Sequence, residues 1–132
     1  MAVVSASRIV AWWAARQGDR VAIDHEGATV TWEELERRTN RLAHAYASLG
    51  VRPDSFVTIA LPNSIGFMEA CIAAWKLGAT PQPVSSRLPK LERDQIVELA
   101  APSLIVGCAP GEYGGTPSVP EGFAPDPSCP DT

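Results

Sequence analysis

Between Gly78 and Pro89 the chain reads GATPQPVSSRLP, and Ser85, Ser86 and Arg87 are the residues here best equipped for chemistry. A guanidinium can grip a phosphate through two parallel hydrogen bonds, and neighbouring hydroxyls can add donors. The turn is therefore a candidate phosphate contact. A plainer role is a strand end: Pro81 and Pro83 fix φ and remove two amide donors, which suits an edge or terminus better than the middle of a ladder. The other chemically interesting residues carry less. Cys71, Cys108 and Cys129 are an odd number at wide spacing with no CxxC pair, so neither a disulfide framework nor a zinc site is expected, and a reducing cytoplasm is the natural setting. Cys71 sits in an apolar run and reads as a small core hydrophobe. His25 and His44 form no metal cluster. The stretch RRTNR, residues 37–41, reads as a solvated helix face rather than a nucleic-acid footprint. GEYGG, residues 111–115, lacks the lysine and hydroxyl pair of a phosphate-cradling loop. No catalytic residue and no metal ligand is assigned.

A chain of 132 residues with 45% hydrophobic and 20% charged side chains can bury one domain's core. Its net charge of -4 is unevenly spread: every one of the 11 Lys and Arg lies at or before Arg93, and the remainder carries acids alone. No basic face for nucleic acid is expected. Residues 9–15, behind Arg8, lack a small-residue cleavage site and read as a short amphipathic helix that lays Trp12 and Trp13 on a neighbouring surface. No run approaches the roughly 18 apolar residues that a membrane span needs.

The elements that position the turn follow from periodicity. Residues 21–24 and 28–30 are β-type runs around His25-Glu26-Gly27, a hairpin pattern. Thr31 with Glu34 three residues later is a capping box, so a helix starts there. Trp32, Leu35, Thr39, Leu42, Ala43, Tyr46 and Leu49 then form one buried stripe, with Glu33–Arg37 and Glu34–Arg38 pairs expected outside it and Gly50 as the stop. Residues 56–61 are apolar and β-branched, as in a parallel strand covered on both faces. A Pro62-Asn63-Ser64 turn leads into a helix over 65–77, capped by Asn63 or Ser64, and a strand over 79–84 completes a βαβ unit. A helix over 91–99 and a strand over 104–106 follow. Residues 109–132 hold six of the 12 prolines and four of the 10 glycines. That composition predicts an extended or disordered tail behind an ordered unit of residues 1–108. The expected fold class is α/β: a layered, mostly parallel sheet with flanking helices.

In order and spacing, GDRVAI, VTWEELERRTNRLAHAYASLGV, VTIALPNSIGFMEACIAAWKLGATPQPV and LPKLERDQIVELAAPSLIVG resemble the beginning of the adenylate-forming enzymes: acyl-CoA synthetases, peptide-synthetase adenylation domains and luciferases. The resemblance covers residues 19–107. KLGATPQPVSSRLP is more similar to synthetases of bulky hydrophobic acids, the bile-acid and steroid-acid ligases among them, than to amino-acid adenylation domains. The resemblance implies the N-terminal subdomain of the acyl-CoA synthetase fold. It implies an enzyme that activates a carboxylate with ATP and passes the acyl group to a thiol such as coenzyme A. Ser85, Ser86 and Arg87 fall where such enzymes place the thiol-entry channel, and stand as coenzyme A contacts.

The family's Ser/Thr/Gly-rich phosphate loop, its adenine, ribose and magnesium motifs and its mobile C-terminal domain come downstream of the matched runs. None occurs in these residues. The expectation is a piece of a larger enzyme, inactive alone and without a cofactor of its own, with ATP, Mg2+ and coenzyme A serving the parent. Its expected partners are the remainder of that enzyme and a second copy of itself, through the Trp12–Trp13 helix and the helix over 65–77. The alternative is a stand-alone binding module that reuses the fold without chemistry.

Overall fold

The computed structural model describes residues 4–132. A short 3-10 turn, Ala6–Arg8, leads into α1 (Ile9–Gln17), and the hairpin β1 (Val21–His25) and β2 (Ala28–Thr31) hands the chain directly to α2 (Trp32–Ser48). The handover is the expected capping box: the Thr31 hydroxyl accepts from the Glu34 amide and the Glu34 carboxylate accepts from the Thr31 amide, both at 3.2 Å. Trp13 stacks on Trp32 with ring centroids 5.7 Å apart, which ties α1 to the start of α2. Of the tryptophan pair expected to lie on a neighbouring surface, Trp13 does so, while Trp12 packs edge-on against Trp13 and under Arg16 of its own helix.

Strand β3 (Phe56–Ile59), helix α3 (Ile65–Lys76), strand β4 (Thr80–Pro83), helix α4 (Lys90–Ala100) and strand β5 (Leu104–Val106) follow in a wound α/β pattern. With a last short strand, β6 (Ser118–Val119), the sheet is parallel and ordered β4-β3-β5-β6, with β4 at one edge, where its prolines forfeit no ladder bond on the open side. Alternation assigns the faces. Val57, Ile59, Leu104 and Val106 point to α2 and α3, in one core with Tyr46, Ala70, Ala73 and Ala74. Ile105 points the other way, to Val97 of α4 and to Cys108. Cys71 lies in the first core, as its apolar setting predicted.

Two expectations are corrected. The ordered unit does not end at Cys108. Residues Ser118–Val119 form β6, which pairs with β5 in parallel; Ile105 donates to the Pro117 carbonyl at 3.0 Å and Gly107 to the Val119 carbonyl at 2.8 Å. Phe123 packs on the main core, and the chain's last residues lie on α2, where Asn40 donates to the Asp131 carbonyl at 3.0 Å. Proline supplies a carbonyl as well as any residue, so a segment that mainly accepts hydrogen bonds can be proline-rich and still ordered. The second correction concerns Arg38. The Glu33–Arg37 pair forms, but Glu34 is committed to the cap, and Arg38 reaches α3 to meet Glu69 at 2.9 Å.

Gly107 marks the tightest point. With φ at +98° its missing side chain faces the Ala60 carbonyl, and a Cβ would come within 2.3 Å of that oxygen. Gly107→Ala is expected to cost on the order of 3 kcal/mol, from backbone strain plus steric overlap. Thr31→Ala should cost about 1 kcal/mol. Urea denaturation followed by circular dichroism checks both, and an unchanged midpoint in either variant would mean that the contact named does not limit stability.

Candidate functional site

The turn after β4 is set by the sheet and by its own hydroxyl. Val84 donates to the Ile59 carbonyl at 2.9 Å, which extends the parallel ladder past the end of β4. Ser85 Oγ then accepts from the Arg87 amide at 3.2 Å, and the Leu88 amide donates to the Ser85 carbonyl at 3.1 Å. Ser85, Ser86 and Arg87 are all exposed. They form one wall of a cavity of about 510 Å³ outside the carboxyl ends of β3 and β4. The opposite wall is the β3–α3 turn. There Ser64, not Asn63, is the helix cap: its Oγ accepts from the Phe67 amide at 3.1 Å and donates to the Pro62 carbonyl at 3.0 Å. Asn63 lines the same cavity as Arg87, with Phe67 and Pro83 as apolar lining.

The structure thus brings the three predicted residues together and adds Asn63 and Phe67. Sequence reasoning weighed Asn63 only as a helix cap; the structure gives the cap to Ser64 and places Asn63 in the cavity lining. Arg87 makes no ion pair among the described residues. An unpaired guanidinium, two hydroxyls and an amide above an apolar wall can hold a phosphate and a slender, mostly apolar arm together. Among the described residues no thiol lines this cavity. Burial pushes the Cys71 thiol up to about 11, which leaves it protonated and inert, and burial likewise raises Cys108. Among the described residues no group of three His, Cys, Asp or Glu side chains is placed to hold a metal ion.

A family model described as AMP-binding enzyme matches residues 10–126. The chain belongs to that family. Triostin synthetase I of Streptomyces triostinicus is 38% identical over 101 residues, 76% of this chain and 19% of that protein. Among solved structures, a nonribosomal peptide synthetase bound to α-methyl-L-serine-AMP superposes with a TM-score of 0.87 at 18% identity, covering 98% of this chain and 15% of that one. A benzoate CoA ligase from Burkholderia xenovorans LB400 gives 0.72 at 17% identity, covering 79% and 21%. The fold is that of the N-terminal subdomain of adenylate-forming enzymes. The chain spans between 1% and 19% of the length of the curated relatives it matches. Several of these are named as peptide synthetases, so the expected lean toward bulky hydrophobic acids finds no counterpart among them.

Away from the turn, a buried acid shows how the helices that carry it are held. Burial pushes the Glu69 carboxyl above its ordinary value of 4.5, and the Arg38 guanidinium only partly offsets this. A raised folded-state pKa gives stability that is complete below pH 4.5 and is lost as pH rises through the folded-state value. Glu69→Gln, which resembles the protonated form, should therefore improve relative to the native chain as pH goes from 4 upward. Urea midpoints of both proteins across that range check it; the reverse trend would mean that the Arg38 pair outweighs burial.

Proposed function

We propose that this chain forms the N-terminal part of an acyl-CoA synthetase: an enzyme that uses ATP to convert a hydrophobic carboxylic acid to an acyl-adenylate, releases pyrophosphate, and transfers the acyl group to coenzyme A. The observation that carries this is the coincidence of family membership with an unpaired Arg87 beside Ser85 and Ser86 at the carboxyl edge of the sheet. In this reading Arg87 and the two serines grip a phosphate of coenzyme A, while Phe67 and Pro83 flank the thiol-bearing arm. The chain's own residues bind and orient the thiol donor; the described residues offer no trio of ligands for Mg2+, so no step is routed through that ion here. Apolar side chains left in solvent support contact with further protein: Met68 and Trp75 on α3, and Leu91 and Leu99 on α4.

A second reading, amino-acid adenylation within a peptide synthetase, is favoured by the names of the curated relatives. Acid-dependent exchange of labelled pyrophosphate into ATP separates the two. The 132 residues alone should stay at background, because positioned cations and amides around the phosphates carry this chemistry and no phosphate loop is among them. The chain extended through the coding sequence downstream of Thr132 should exchange with hydrophobic acids. Exchange with α-amino acids instead selects the second reading, and exchange with neither selects the stand-alone module.

In the extended protein, Arg87→Ala should raise the Michaelis constant for coenzyme A about tenfold while leaving pyrophosphate exchange unchanged. Steady-state kinetics of each half-reaction test this. Equal damage to both, or to neither, removes Arg87 from the thiol channel.

A further inference from the structure

The parallel sheet reverses its direction of growth at β3. The chain first adds β4 on one side, then crosses over and adds β5 on the other. Open α/β sheets take ligands in the crevice outside the carboxyl ends of the strands that flank such a switch point. Here that crevice is a cavity of about 740 Å³, with Leu61 beyond β3 and Val106 at the end of β5 for its floor. Helices α2 and α3 wall it, and Phe123 with the prolines around it forms the roof. Its volume lies within the range of small-molecule sites. It is distinct from the mouth formed by Ser85, Ser86 and Arg87, although Leu61 borders both.

Two buried polar side chains line this cavity with bonding capacity to spare. Tyr46 is 1% exposed, yet its hydroxyl has no hydrogen-bond partner among the described residues. Glu69 is 9% exposed; Arg38 bonds its Oε1 at 2.9 Å, and Oε2 has no partner among the described residues. Neither is a sealed orphan. Asp94 Oδ1 is the one fully occluded side-chain polar atom lacking a partner among the described residues, so the Tyr46 and Glu69 atoms reach open space, which the cavity supplies. The charges at the site are already matched: Arg38 faces Glu69, and Arg41 faces Asp131 at 3.7 Å. A ligand is therefore not required to bring a charge, and a charged one would break a pair.

We propose that this cavity binds an uncharged, largely apolar small molecule that carries one hydroxyl, a phenol or an alicyclic alcohol. Its hydrocarbon body packs against Leu42, Ile65 and Phe123, and its hydroxyl donates to Glu69 Oε2 and accepts from Tyr46. This site is independent of the acid and the thiol assigned to the enzyme above.

The test is an NMR titration of the isotopically labelled chain with 4-ethylphenol, with ethylbenzene and 4-ethylbenzoate as comparison probes. Saturable shifts confined to Tyr46, Val106, Phe123 and their neighbours are expected for the phenol, with weaker binding of ethylbenzene and weaker still of the benzoate. Tyr46→Phe removes only an unpartnered hydroxyl, so the fold should persist while affinity for 4-ethylphenol falls roughly five- to tenfold and that for ethylbenzene stays the same. Gly66→Leu adds bulk on the cavity wall, where a new Cβ meets nothing nearer than Ser64 Oγ at 3.8 Å, and should weaken both probes. The proposal is overturned by any of three results: no saturable shift at low millimolar probe, equal phenol affinity in the native chain and Tyr46→Phe, or benzoate binding as tight as phenol.

Discussion

The molecule depends on β3. This four-residue strand is hydrogen-bonded to β4 on one edge and to β5 on the other, and both of its faces are covered. Each flanking strand is short, so the ladder alone is a weak source of order. What fixes β3 is burial: Val57 and Ile59 are fully enclosed toward α2 and α3. On the opposite face Thr58 is fully enclosed as well, and its hydroxyl donates to the Gln82 side chain at 2.8 Å. A threonine left unpaired there would cost the desolvation of its hydroxyl, so the bond to Gln82 selects the β3–β4 register. Once β3 is placed, the turns beyond its carboxyl end, and therefore both cavities, have their positions.

Much of this was legible in the residues, because the features concerned are local. The capping box at Thr31 and Glu34, the glycine stops, the strand–helix–strand rhythm from Phe56 to Pro83 and the prolines at a sheet edge all depend on neighbours within a few positions. What escaped the sequence depends on separation. Arg38 has Glu34 one turn away and Glu69 31 positions away, and only the cap explains why it takes the distant partner. β6 is two residues long and recruits backbone alone, so no periodicity announces it. The Pro and Gly content of that segment pointed to an extended or disordered tail, and composition does not register the carbonyl that Pro117 offers to Ile105.

The polar contacts that join elements share a pattern. Lys76 of α3 reaches Glu36 and Asn40 of α2, Arg38 of α2 reaches Glu69 of α3, and Arg93 of α4 holds Glu112 and Tyr113 of the loop before β6. All are half-buried, where desolvation offsets most of the Coulomb attraction; burial depresses the Lys76 pKa despite its carboxylate neighbour. Such pairs contribute little net stability compared with the apolar core, but each is satisfied in one arrangement of its helices. Their role is to choose an alignment of α2 on α3 that small side chains such as Ala70, Ala73 and Ala74 would leave free to slide.

That alignment is what keeps a cavity open at the switch point. Close helix packing through alanines brings α2 and α3 together along most of their length, yet Tyr46 and Glu69 stand where the helices meet the strand ends. Just past the strand ends Gly107 lies so close to the Ala60 carbonyl that no side chain fits there, and this fixes the backbone beside Leu61 and Val106 at the floor. Phe123 covers the opening from a segment that is held by backbone bonds from Ile105, Gly107 and Cys108 and by contacts from Asn40, Arg41 and His44 at its far end. Between those anchors the roof is attached through few bonds. The strand ends and helices therefore supply a floor and walls beneath a cover anchored at both ends, and the space left between them admits a ligand without reorganising the core.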